Sequence, residues 1–351
     1  MTSFESDYNN GAHPAVLRRL IETNLEGSQS YGFDSWSEQA REKIRMATNC
    51  PEADIFFLVG GTQANATVID ALLPSYGAVI AVETAHINVH ESGAVEANGH
   101  KVIALPSTEG RMLPSELRRY LERFFADPTW EHMAVPAMVY ITFPTELGTL
   151  YQASDIEQIY ALCQQYNMAL FIDGARLGYG LISAECNFDL PWLARHCDAF
   201  YIGGTKVGAL CGEAVVFPRG NAPRGFFTMV KRHGALLAKS RLAGVQFDAL
   251  FTPLPEDNEL LYFSISRHAI SMAMRLRHLF INAGFKMKDS PTNQQFVELS
   301  KTQMEKLQQH VAFETWEPVN DNLTLCRFVT SWATTDADLN TLEAALESLT
   351  E

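Results

Sequence analysis

Seven short apolar runs punctuate the first two-thirds of this chain: DIFFLV (54–59), AVIAV (78–82), HKVIAL (100–105), AMVYIT (137–142), ALFID (169–173), AFYIG (199–203) and EAVVF (213–217). Each is too short for an ordinary helix, so each reads as a buried strand. Between several of them the apolar period becomes that of a helix: GGTQAN onward to residue 73, 114–126, and 154–166. The last of these opens with SxxE at Ser154 and Glu157, a capping-box string. Strands alternating with helices specify an α/β fold with a mostly parallel central sheet covered on both faces.

The flanks differ. Residues up to Asn10 are polar and read as extended. Residues 14–26 read as a helix with Pro14 in its first turn and Gly27 at its end, and 35–48 as a second, capped by Ser35 or Ser37. Residues 222–250 read as one long helical stretch with a break near Gly234. Past Pro253 and Pro255 the pattern changes to a helix over 259–283, then strands at 296–299, 312–316 and 323–329 with helices between and after. A chain of 351 residues is long for one core. The expected division is a large domain over 1–255, whose N-terminal segment contributes to the active site, and a small α+β domain over 256–351.

Charge and cysteines narrow the function. A formal net charge of −14 argues against nucleic acid or an anionic membrane surface as a general partner. No run of apolar residues is long enough to span a bilayer, and the first residues lack the basic and apolar regions of a secretory signal. The six cysteines form no CxxC pair, so reduced thiols in the cytoplasm are the simplest expectation.

Two strand ends carry the chemistry. FIDGARLG places Asp173 at the end of one run, and YIGGTKVGAL places Lys206 just past another, about thirty residues later. A lysine wrapped in small residues can hold an aldehyde as a Schiff base, and a carboxylate can hold a protonated ring nitrogen. Those are the two anchors of pyridoxal phosphate. Either string alone fits an ordinary turn; the two in order, each after an apolar run, point to the cofactor. Desolvation lowers the pKa of such a lysine and aids imine chemistry. Arg176, three residues after Asp173, can grip a carboxylate with its two-pronged guanidinium.

Other strings fit the same pocket. In FFLVGGTQANA a glycine pair and a threonine stand where a strand hands over to a helix, so Gly60, Gly61 and Thr62 form a candidate phosphate cradle. The plain alternative is a tight strand–helix turn. His86 and His90 stand four apart and share a face if the segment is helical. An imidazole can stack on a flat ring or move a proton. No third ligand accompanies the pair, so no metal site is expected. The neighbouring motifs favour His86 as a ring-stacker.

Taken in order, SDY near the start, YG at 31–32, GGTQANA, AH-(x)4-E at 86–91, ELGTLY, DGARLG, GGTKVGAL and RFVTSW are specific. Over essentially its full length the chain resembles the threonine aldolase / β-eliminating lyase family of fold-type I pyridoxal phosphate enzymes. The resemblance implies that Lys206 carries the cofactor covalently, Asp173 holds its ring nitrogen, His86 stacks on the ring, and Gly60, Gly61 and Thr62 bind its phosphate. It implies that Ser6, Arg176 and Arg327 hold the substrate carboxylate, Arg327 reaching in from the small domain. It further implies that Tyr31 approaches a neighbouring subunit's pocket, and that one of Lys231, Arg232, Lys239 or Arg241 reaches a neighbour's phosphate. A homodimer or homotetramer with shared active sites follows, acting on a small amino acid.

The expected reaction is retro-aldol cleavage of a β-hydroxy-α-amino acid to glycine and an aldehyde. The sequence departs from the family where the β-hydroxyl is handled. Glu146 in FPTELGT stands where threonine aldolases carry a histidine, and His90 stands where an aromatic residue is frequent. The group that takes the hydroxyl proton is therefore open among His90, Glu146 and a water. The alternatives are a β- or γ-eliminating lyase, a racemase, or a non-catalytic cofactor-binding regulator, for which no basic patch speaks. A nicotinamide-binding fold needs GxGxxG after a strand, and GGTQAN lacks that spacing.

Overall fold

The computed structural model describes residues 2–350. All seven expected strands form: β1 (Asp54–Leu58), β2 (Gly77–Val82), β3 (Lys101–Leu105), β4 (Val135–Thr142), β5 (Ala169–Asp173), β6 (Ala199–Gly203) and β7 (Glu213–Phe217). They make one sheet in the order β1-β7-β6-β5-β4-β2-β3. Strands β2, β6 and β7 are buried along their whole length, as continuous apolar runs between two helical layers must be.

Strand β7 alone runs against its neighbours. The reversal matters for the site. Because β7 is antiparallel to both β1 and β6, its first residue lies at the rim where those strands end. Glu213 pairs with Leu58 on one side and Gly203 on the other. Thr142 and Asp173 end their strands side by side at the same rim. In open α/β sheets this carboxyl rim is where ligands bind.

Helices α1 (Pro14–Thr23), α2 (Ser35–Thr48) and α3 (Gly61–Leu72) pack around the sheet. Several boundaries differ from expectation. Helix α1 stops at Thr23, well short of Gly27. The cap of α2 is Asp34, whose carboxylate accepts from the Ser37 N–H at 2.8 Å, so neither serine caps it. The Ser154/Glu157 box does not form. The helix starts at Ala153, which moves the third position to Asp155, and that carboxylate accepts from the Gln152 N–H at 3.1 Å. The stretch 222–250 is two helices, Phe226–Arg232 and α4 (Arg241–Leu250). Gly234, at φ +67°, takes the left-handed conformation that ends the first of them.

A second core lies under a small antiparallel sheet of β8 (Gln294–Ser300), β9 (Glu314–Asn320) and β10 (Leu323–Val329), in the order β9-β10-β8. The strand expected over 312–316 divides at Phe313. Val311 and Ala312 pair in parallel with Thr2 and Ser3, whereas β9 pairs with β10. Phe4 follows into the second core with Phe328. Helix α5 (Leu261–Asn282) belongs to both cores, with Ile265 and Ala269 in the first and Leu276 and Phe280 in the second. Among the described residues no helix is long and apolar enough to cross a membrane, all six cysteines are free thiols, and no cluster suited to a metal ion occurs.

Candidate active site

The rim of the sheet encloses a cavity of about 280 Å³. Gly60, Gly61, Thr62, His86, Glu146, Asp173, Arg176 and Lys206 all line it, so most of the residues marked in the sequence converge on one space. Tyr8, Tyr201, Cys211 and Glu213, none of them marked, line it as well.

Asp173 is buried and held by four donors. Oδ1 accepts from the Ala175 N–H (2.9 Å) and the Tyr201 hydroxyl (2.5 Å); Oδ2 accepts from the Asn65 amide (2.9 Å) and the Tyr140 hydroxyl (2.5 Å). Burial first, and the Asp173 charge second, push both tyrosines well above their ordinary pKa, so they remain donors. The second amide hydrogen of Asn65 goes to Glu91 Oε1 at 2.8 Å, and the same oxygen meets His86 Nδ1 at 2.7 Å. Burial alone lowers the His86 pKa, but the Glu91 bond and the charges of Asp173 and Glu91 outweigh it, and the ring titrates above its ordinary value. A single buried network therefore runs from His86 through Glu91 and Asn65 to Asp173.

Two glycines stand at close approaches, tight at Gly61 and prohibitive at Gly174. A Cβ on Gly61 would lie 3.0 Å from the Tyr201 hydroxyl, and one on Gly174 would lie 1.9 Å from the Tyr201 carbonyl oxygen. The first puts the start of α3 directly against the group that holds Asp173.

Lys206 hangs beneath the Tyr8 ring, with Nζ 5.8 Å from its centroid. Burial, then the Arg176 charge, lower its pKa, against the opposing charges of Asp7, Asp173 and Glu213. Glu146 is buried; Oε1 accepts from the His86 N–H (3.0 Å) and from the Thr142 hydroxyl (2.9 Å). Burial pushes its carboxyl above the ordinary range.

Both arginines have resident partners. Arg176 makes two bonds to the fully buried Asp7 side chain, Nε to Oδ2 at 2.7 Å and Nη2 to Oδ1 at 3.0 Å. Those bonds use one edge of the guanidinium and leave the Nη1–Nη2 edge as a second fork. Asn293 ties Asp7 Oδ2 to the carbonyl of Thr330. Arg327 donates to Gln294 Oε1 at 2.9 Å and to Glu314, and stacks 4.7 Å over Trp316. Its Nε is buried with no hydrogen-bond partner among the described residues.

Other marked residues lie elsewhere. Ser6 donates to Asn9 Oδ1 at 2.6 Å. His90 caps the short helix His86–Val89, outside the cavity lining, with its ring centroid 5.6 Å from His86 and 6.2 Å from Trp316. Burial and the charges of His86 and Arg327 lower its pKa. Tyr31 lines a separate cavity of about 290 Å³ with Phe33 and Phe227, and Lys231 Nζ sits 4.8 Å from its ring. Arg232 reaches Asp70, and Arg241 donates to the carbonyls of Thr23 and Glu26. The residues missed in the sequence left faint signals: Asp7 and Glu91 lie inside strings already marked, and Glu213 is an acid opening an otherwise apolar strand.

Comparison with known proteins places these features. The sequence profile of the beta-eliminating lyase family matches residues 3–311. The low specificity L-threonine aldolase of Pseudomonas sp. (strain NCIMB 10558) is 30% identical, over 99% of this chain and 97% of the relative. That of Pseudomonas aeruginosa is 33% identical over 68% of each chain. The solved threonine aldolase of Leishmania major superposes with a TM-score of 0.94 at 35% identity, covering all of both chains.

Proposed function

Because this chain belongs to the beta-eliminating lyase family, we propose that it is a pyridoxal phosphate-dependent lyase that cleaves a β-hydroxy-α-amino acid of the threonine class to glycine and an aldehyde. The observation that carries the reading is the convergence of Lys206, Asp173, His86 and the Gly60–Thr62 turn on one cavity.

The residues fit the cofactor. Gly60, Gly61 and Thr62 offer a helix N-terminus and a hydroxyl to its phosphate. His86 would face its ring, Lys206 would hold its aldehyde carbon and Asp173 would meet its ring nitrogen. All four acceptor positions of that carboxylate are taken by protein donors, and of the two tyrosines only Tyr201 lines the cavity, so Tyr201 is the donor that would yield or share its place. When bound, pyridoxal phosphate supplies an electron sink for the pair left on Cα as Cα–Cβ breaks.

The chain's own residues do the rest. The free edge of Arg176 grips the substrate carboxylate from the cavity wall, whereas Arg327 and Ser6, which the resemblance also assigns to it, lie outside the cavity lining. Gripping it decides which α-carbon bond lies perpendicular to the ring and hence which one breaks. Asp7 holds the Arg176 fork in place. Replacing Asp7 with asparagine should cost about 3–5 kcal/mol of stability by breaking a buried pair. It should also raise KM by about tenfold or more, the equivalent of roughly 1.4 kcal/mol; urea titration and steady-state kinetics check the two effects.

Glu146 takes the β-hydroxyl proton. A base must first be within reach, and Glu146 lines the cavity whereas His90 does not. Its raised pKa makes it a better acceptor than an ordinary carboxylate. Glu146→Gln keeps the shape and one acceptor oxygen. It should lower kcat about 10²-fold and remove the acidic limb of the kcat/KM profile. A full-rate variant with that limb intact moves the role to His90.

We propose further that the protein is a homodimer or homotetramer. Tyr31 holds φ +60° in the left-handed region, and Phe33 beside it is exposed. That face suits a subunit contact delivering Tyr31, with Lys231, Arg232, Lys239 or Arg241, to a neighbouring pocket. We place the domain boundary at 255/256, with the first half of α5 still packed in the large core and the strand Thr2–Ser3 joining the smaller unit, and assign the compartment as the cytoplasm. Product analysis with L-threonine, L-allo-threonine and phenylserine tests the reaction. Glycine with equimolar aldehyde supports it; 2-keto acid with ammonia makes this an eliminating lyase instead.

A further inference from the structure

Glu213 stands outside the roles given above. Its buried carboxyl group closes on the turn that delivers Lys206: Oε2 accepts from the Gly204 N–H at 3.1 Å and Oε1 from the Thr205 hydroxyl at 2.8 Å. Thr205 Oγ in turn accepts from the Gly212 N–H at 3.1 Å, so the two strands flanking the turn are laced through this side chain. The reversed direction of β7 is what puts an acid there, opposite Gly203 and on the wall of the Lys206 cavity.

We propose that Glu213 is a positioning residue for Lys206, clamping the Gly204–Thr205 turn that carries it and tuning the lysine amine by its charge across the shared cavity. The inference rests on the reading of Lys206 as the cofactor's lysine. A buried acid backed by an apolar strand keeps its proton well above the ordinary carboxylate range. Burial pushes Glu213 up to about 8, against the hydrogen bond from Thr205 and the charge of Lys206. Lys206 is pushed the opposite way. The two groups line one cavity, so the charge on either shifts the proton affinity of the other.

Other charges face the pair. Lys206 also feels Arg176, Asp7, Asp173 and His86, and Glu213 feels Asp173, Tyr201, Tyr262 and Cys211. The substitution must therefore change Glu213 alone. Glu213→Gln keeps the volume; its amide oxygen can still accept the Gly204 N–H, and its NH₂ can donate to Thr205 Oγ.

The test follows acetylation of Lys206 by acetic anhydride in cofactor-free protein from pH 6 to 11, read by peptide mass spectrometry. An ionised Glu213 favours the lysine cation, so its removal should move the Lys206 midpoint down by about one pH unit. It should also turn a two-step titration into a single step. A residue that only packs the turn changes the melting temperature and leaves the midpoint where it was; that result overturns the proposal. If E213Q does not fold, Thr205→Val removes one donor from Glu213 and shifts the midpoint in the same direction by less, and an unmoved midpoint overturns the proposal equally. The same pH series on protein loaded with pyridoxal phosphate, read by visible absorbance, separates the two readings. A shift in the cofactor-free arm without any chromophore upholds the Glu213–Lys206 pair and sinks the cofactor assignment.

Discussion

Lys206→Ala should lose glycine formation by roughly 10⁴-fold or more, the scale seen when an enzyme's covalent nucleophile is removed. No other amine lines the cavity among the described residues, so nothing can take over its attachment to the cofactor. The same variant should not be less stable. Burial lowers the Lys206 pKa, so between that lowered value and its ordinary one the unfolded chain holds a proton that the native protein does not. Protons bound by the unfolded state make stability rise with pH, so at neutral pH, below the ordinary lysine value, the native protein carries a penalty from this group. Alanine removes that penalty. The cofactor-free variant should melt at or above the wild-type temperature at pH 7, and the difference should shrink toward pH 10. Calorimetry at several pH values checks this. Full turnover in the variant would remove Lys206 from the mechanism.

Asp173→Asn should come second, with turnover lower by on the order of 10³-fold, equivalent to about 4 kcal/mol of barrier. Two effects combine. A neutral amide cannot keep the cofactor's ring nitrogen protonated. It also turns two acceptor positions into donors, facing a pair of groups that now donate to the carboxylate. At least one buried N–H or O–H loses its acceptor, at a cost of roughly 1–3 kcal/mol. Tyr201→Phe separates the terms: it keeps the charge and removes only one donor, so it should lose far less turnover than Asp173→Asn. Equal losses would show that the donor shell, rather than the charge, carries the effect.

Much of this architecture could be read from the chain because the central strands are buried almost throughout. A run such as AFYIG has no charged residue to place on a solvent face, so its length follows from composition. Asp173 and Lys206 were legible because each stands at the end of such a run. The second layer was not. Asp7 meets Arg176 across 169 residues, and Asn65 meets Asp173 across 108, pairings that no local period encodes. Glu213 stands beside Gly203 only because β7 reverses, and a sequence of apolar runs does not state direction. Helix starts failed for a smaller reason. Near Asp34 and Asp155 several short polar side chains compete for one cap, and the choice depends on where the preceding loop leaves the chain.

Helix α5 has a calorimetric consequence. Ile265 and Phe280 lie on one continuous rod of backbone hydrogen bonds but in different cores. Heat that loosens either core removes a wall from the other, and the first residues of the chain, folded back through Phe4, share the loss. The protein should therefore melt in a single endotherm, with a calorimetric enthalpy for the whole chain, and a protease cut inside α5 should release no folded fragment.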